Sequence, residues 1–156
     1  MSVKRGINPG IGFVPAYEIS GIPFVTSSIP AEVGTTNAVS VRFPYVTRWI
    51  EVVNTGAKPL RIGFSKNGVE GKGAITSGSS RSTSSPEYAP NHANYFILSP
   101  SGSAGGVTGR LELRCSSIFF LSDHTSPTSF SLIAGLTTIP GRDLNLTGSS
   151  GHLGIG

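Results

Sequence analysis

The side chains with which this chain would do chemistry are histidines, a cysteine, a few acids and many serines. The histidines are His92, His124 and His152. A bound transition metal needs three or four donors converging on one point. Only Asp123-His124 places two ligand types side by side. Neighbours on an extended chain point to opposite faces, so this pair reads as a solvated turn. The single cysteine, Cys115, closes the run Leu111-Glu112-Leu113-Arg114-Cys115. Alternation puts its thiol on the face of Leu111 and Leu113, which suits a small buried apolar residue better than a nucleophile. One cysteine also rules out an intrachain disulfide.

Serine is abundant, but the G-x-S-x-G elbow of a hydrolase is absent. The eight acids are scattered singly, with no pair placed for acid–base work. Gly71-Lys72-Gly73 and Ala104-Gly105-Gly106 do not have the spacing of a phosphate loop and read as turns. The sequence thus predicts no enzyme, no metal and no cofactor.

Trp49, the only tryptophan, is a candidate sugar-stacking platform, but packing within a sheet is the preferred reading. Its neighbours Arg48 and Glu51 have odd separation and should face opposite ways. Lys66, Lys72 and Arg81 lie in or beside a long loop, where solvated charge is favoured over a phosphate or sugar contact. The net charge is +4 and the pI about 9.6. Twelve basic residues carry it, and only Lys4-Arg5 are adjacent. A nucleic-acid binder concentrates such charge on one face or in a tail, so no specific nucleic-acid partner is expected. No secretory leader is expected from MSVKRGINPGIGF, and no apolar run nears the roughly 20 residues that span a bilayer. The sequon Asn145-Leu146-Thr147 is read as chance, and a reducing compartment fits the lone thiol.

The elements that must position these residues are short. Charged residues make up only 13% of the 156, about half the usual share, and Gly, Ser, Thr and Pro replace them. Those residues favour turns and strand edges over helix interiors. Eight runs have strand character: residues 22–28, 38–43, 46–54, 60–66, 95–98, 110–115, 117–121 and 129–137. In 38–43, Val39, Val41 and Phe43 share one face. In 60–66, Leu60, Ile62 and Phe64 do, and Asn67-Gly68 signals a turn. No stretch sustains helical spacing for three turns. Eight short runs with turn chemistry between them predict an all-β sandwich or barrel.

The predicted core is Val41, Phe43, Ile50, Val52, Leu60, Ile62, Phe64, Phe96, Leu98, Leu111, Leu113, Phe120, Phe130, Leu132 and Ala134. The core face of 46–54 stays open, because both faces carry apolar residues. Residues 1–21 are punctuated by Gly and Pro and read as an extended arm. Residues 68–93 form a long loop, rich in serine and glycine near 77–85. Residues 140–156 are a Gly-rich second arm, leaving 22–139 as the domain.

Several runs, in their order, resemble a known family. They are RFPYVTRWIEVVN (42–54), LRIGFSKNGV (60–69), NYFILSP (94–100), LELRCSSIFFLSD (111–123) and FSLIAGLTTIPG (130–141). Together they are similar to the penton proteins of nucleocytoplasmic large icosahedral double-stranded DNA viruses. The likeness covers most of 38–141 and neither arm. It implies a single jelly roll of two four-stranded antiparallel sheets. It implies a homopentamer at each five-fold capsid vertex, among major capsid protein capsomers and minor capsid proteins. The chain would then be a virion protein assembled in the host cytoplasm. Arm candidates for assembly contacts are Lys4, Arg5, Ile7, Ile11, Phe13, Leu144, Leu146 and Leu153, with Val14 and Ile155 beside them. Vertex-loop candidates are Lys72, Arg81, Tyr88 and His92. Two other classes stay open: a carbohydrate- or receptor-binding sandwich such as a fibre head or lectin, and a cupin-like enzyme, which needs a clustered His/Glu metal set.

Overall fold

Residues 128–140 hold the longest strand, and one sheet is built around it. The computed structural model describes residues 21–34, 37–70, 94–102 and 106–144. In chain order the strands are β1 (Ile22–Ala31), β2 (Val39–Arg42), β3 (Tyr45–Asn54), β4 (Leu60–Gly63), β5 (Tyr95–Leu98), β6 (Ser117–Ser122) and β7 (Thr128–Pro140). A single helical turn, α1 (Lys66–Glu70), follows β4, and a 3₁₀ turn (Gly141–Asp143) follows β7. The first sheet has the order β1-β7-β3 and the second β2-β6-β4-β5. Every pairing is antiparallel. The protein is therefore an all-β sandwich.

Alternation decides which residues fill the space between the sheets. Phe130, Leu132, Ala134 and Leu136 of β7 face Ile118 and Phe120 of β6, Leu60 and Ile62 of β4, and Ile50 and Val52 of β3 in one buried cluster. The Phe120 and Phe130 rings stack across it at 3.8 Å. Phe24 meets Phe43 edge to face at 5.1 Å. Each such fully buried side chain contributes roughly 1.5–3 kcal/mol. A smaller cluster of Val46 and Ile139, with Leu144 against it, closes one end.

The structure corrects several expectations. Phe96 is 40% exposed, although it pairs with buried Ile62. It stands on β5, the edge strand of its sheet, where a side chain on the core-facing side lacks a neighbour strand beyond it. Phe64, Leu111 and Leu113 are half-buried at the rim. Val46, Val69, Ile118, Leu121, Leu136 and Ile139 are buried core that the sequence reading did not select. Asn67-Gly68 does turn the chain, but as part of the helical turn α1, so the run 60–66 ends as a strand at Gly63. Ser65 precedes the helical turn and accepts the Gly68 N–H on its Oγ (2.9 Å), while the Ser65 carbonyl accepts from Val69 (3.2 Å). A serine in that place nucleates a helical turn. The long loop consequently loses its first three residues to α1, where Gly68, Val69 and Glu70 are buried.

Residues 106–115 are less regular than their run suggests. They lie along β3 through isolated bridges, Ile50 with Leu111 and Val53 with Val107. Hydrogen bonds continue the contact, Asn54 N–H to the Gly106 carbonyl (2.8 Å) and Thr47 N–H to the Cys115 carbonyl (3.0 Å). The packed body also runs past residue 139. The Gly141 N–H donates to the Pro44 carbonyl (2.9 Å), and the Ser116 hydroxyl donates to the Leu144 carbonyl (3.0 Å).

Two buried polar residues pin the irregular parts. Asn54 Nδ2 donates to the carbonyls of Lys58 (2.8 Å) and Ser99 (3.0 Å), and its Oδ1 accepts from Gly56 N–H (3.1 Å) and the Thr128 hydroxyl (3.2 Å). One side chain thus ties the β3–β4 turn to the chain leaving β5 and to the start of β7. Thr47 does the same for residues 113–115. Its hydroxyl donates to the Leu113 carbonyl (2.9 Å) and accepts the Cys115 N–H (2.8 Å). Buried polar groups satisfied this fully stabilise one register over its neighbours.

Candidate functional site

The outer faces of the two sheets carry the side chains that can meet another molecule, and they differ. On the four-stranded sheet, α1 lies across β4 and β6. Gly63 makes room for it, since a Cβ there would press on Val69 and the Asn94 carbonyl. Leu121 points outward by alternation from Phe120, yet it is only 1% exposed. Glu70 reaches further, its Oε1 accepting the Ala38 N–H at 3.3 Å ahead of β2. Beyond α1 this face is mixed: Ile97 of β5, paired with Arg61, is 53% exposed, and the groups around it are polar. Arg61 Nε donates to Asp123 at 2.6 Å, and its guanidinium stands 4.6 Å over the Tyr95 ring.

The outer face of the three-stranded sheet is apolar and open. Val25 is 67% exposed, Val107 48% and Ile133 40%. The pairings Val25 with Ile133, Ile133 with Glu51, and Val53 with Val107 place these side chains in one band across four backbones. Trp49 borders it. Its indole lies against Gly135, where any Cβ would collide with the ring. The Arg110 guanidinium stands over the indole at 4.9 Å, held by Glu112 at 2.6 Å. Trp49 therefore packs within its sheet, and a sugar would have to displace Arg110 to stack on the ring face that Arg110 covers. Alternation in 129–137 already set Ile133 opposite Leu132 and Ala134.

Among the described residues the chemistry-bearing side chains do not come together. Asp123 is committed to Arg61, while His124 is exposed and its Nδ1 accepts the Ser126 N–H (3.2 Å). Cys115 is buried, and that burial pushes its thiol up to about 11 despite hydrogen bonds from Thr47 and Ser117. Among the described residues no three potential metal ligands cluster. Among them, too, no helix is long and apolar enough to cross a membrane.

Of the assembly candidates, only Leu144 falls among the described residues, packed on Val46 and Ile139 of its own chain. Lys4, Arg5, Ile7, Ile11, Phe13, Leu146, Leu153, Lys72, Arg81, Tyr88 and His92 lie outside them, as do Val14 and Ile155. No protein family, curated protein or solved structure matches the chain.

Proposed function

We propose that this chain is a structural capsid protein, a single jelly roll that forms the homopentameric penton at the five-fold vertices of a large icosahedral DNA virus. The strand order carries the reading. Counting residues 106–115 as an eighth strand beside β3, the sheets run β1-β7-β3-(106–115) and β2-β6-β4-β5. Strands consecutive in the chain then fall mostly in opposite sheets, as two nested Greek keys require. That fold serves many functions, so the vertex assignment rests on the resemblance of the ordered blocks in 38–141.

An apolar outer sheet face and a low charge content both suit a chain that packs against others, since few ions need desolvating on contact. The domain flanks would make subunit contacts, and the terminal segments would reach the neighbouring capsomers or minor proteins of the assembled shell. Native mass spectrometry of the purified chain should find a pentamer, and labelled particles imaged by electron microscopy should carry it at vertices. A trimer, or label on capsid facets, would end the penton reading. The stacking of Arg110 on Trp49 gives the carbohydrate-binding alternative no support at that residue.

A further inference from the structure

The apolar band on the three-stranded sheet has a neighbour in the sequence that fits it. The chain enters β1 at Gly21, which sits so close to Gly135 that a Cβ would lie 2.5 Å from its Cα. Residues 1–20 precede Gly21, which stands beside Gly135, the residue on which Trp49 rests. They carry Ile7, Ile11, Phe13 and Val14, and a basic pair, Lys4-Arg5. Their reach is ample. Eight extended residues, from Phe13 to Gly21, span up to about 26–29 Å. Crossing from β1 over β7 and β3 to residues 106–115 takes three strand spacings, about 14 Å. Glu51, paired with Ile133 in the middle of the band, complements the basic pair.

The edge of this sheet is a poorer dock than its face. β1 has Pro23 and Pro30, which donate no N–H, and a bulge between Thr26 and Ile29 with Ser28 at φ 56°. These features block a further strand from adding along β1. Side chains laid on the face need no such ladder.

We propose that in the free subunit this face is covered by the chain's own N-terminal segment, residues 7–14, lying across β1, β7 and β3. A tethered segment meets its own face at a high effective concentration, on the order of millimolar, which favours it over the same segment of a second copy at micromolar protein. On the capsid reading, the segment is stowed here until assembly offers it a neighbour. The docking itself does not depend on that reading.

The test uses the purified full-length chain at low micromolar concentration. In a Val14→Cys, Ile133→Cys variant, mild oxidation should give an intrachain disulfide, mapped by mass spectrometry. It should form at least ten-fold faster than in a Val14→Cys, Ile97→Cys control on the opposite sheet. Equal rates would overturn the proposal, and so would disulfides found only between chains, which would assign the face to a second copy. Independently, chymotrypsin should cut after Phe13 several-fold faster in a Val25→Thr, Ile133→Thr variant than in the unaltered chain. Val25→Thr alone serves if the double variant unfolds. Unchanged cleavage in a folded variant would also overturn it. Because no particle is needed, this result stands apart from whether the protein occupies a vertex.

Discussion

The two outer faces of the sandwich are made from the same alternation and meet opposite fates. On the four-stranded sheet the chain covers its own face over β4 and β6, where α1 folds back, Val69 fits over Gly63 and Leu121 is as dry as a core residue, while Ile97 on the edge strand β5 stays exposed. On the three-stranded sheet Ile133 and Val25 hold the equivalent outward positions and stand in water. The difference lies in the connections. The chain leaving β4 turns at Ser65 and lays a helical turn on the sheet, whereas no described connection crosses the outside of β1, β7 and β3. A face covered by its own chain contributes to folding. A face left open contributes only when something else arrives.

What the sheets share sets the largest expected effect. Phe120 and Phe130 stack between them, so Phe130→Ala should cost roughly 3–5 kcal/mol in a urea or thermal unfolding experiment. A loss under 1 kcal/mol would mean that the sheets do not pack through this pair, and the comparison of their outsides would lose its basis.

The covered face comes next. Leu121→Ala should cost about 2–5 kcal/mol, as for a core leucine, although the side chain points away from the core. If the loss were that of a surface residue, the outer side of β6 would not be sealed.

These two positions show how far the residues alone could be read. Phe130 and Phe120 fall on the inward side of clear period-2 runs, and both were selected. Leu121 follows Phe120 in the same run, so alternation points it outward, and it is absent from the predicted core although it is 1% exposed. Tertiary packing on the outside of β6, which alternation does not show, keeps it dry. Asn67-Gly68 signals a turn without saying which kind, and what makes it helical is one hydroxyl, the Ser65 cap. Cys115 was legible as buried from the alternation in 111–115. The irregular course of 106–115 was not, because it depends on Thr47, more than 60 residues earlier. As for the site, alternation in 129–137 points Ile133 outward but does not say that it is exposed. Its union with Val25 and Val107 required the strand order.

Cys115 tests the seam where residues 106–115 join β3. Its thiol is pushed up from 9.0 to about 11, chiefly by burial. The folded chain then holds this proton more tightly than the unfolded chain. The stability this brings is fully present below pH 9 and is lost as pH rises to 11, by about 2–3 kcal/mol. Unfolding midpoints of the unaltered chain and of Cys115→Ala, followed from pH 8 to 11, should converge or cross in that window, because only the former carries the thiol. Parallel curves would mean that the seam opens to water and that the thiol ionises in the folded protein.

The smallest effect on folding is expected where the effect on association should be large. Ile133 projects from the central strand of its sheet with Val25 on one side and Glu51 on the other, and much of its surface already meets solvent. Replacing it with threonine keeps the β-branched shape that a central strand favours, and leaves Ala134 and Leu132 undisturbed behind it. Changes at exposed positions of this kind stay within about 0.5 kcal/mol. Any stowed segment adds to that only in the full-length chain, so the cleanest contrast is Ile133→Thr with and without residues 1–20. Without them the substitution should leave the unfolding midpoint in place. With them it should lower the protection of Phe13 while the domain stays folded. If Ile133→Thr destabilised the truncated domain as severely as Leu121→Ala, Ile133 would be core. The two faces would then differ in degree and not in kind.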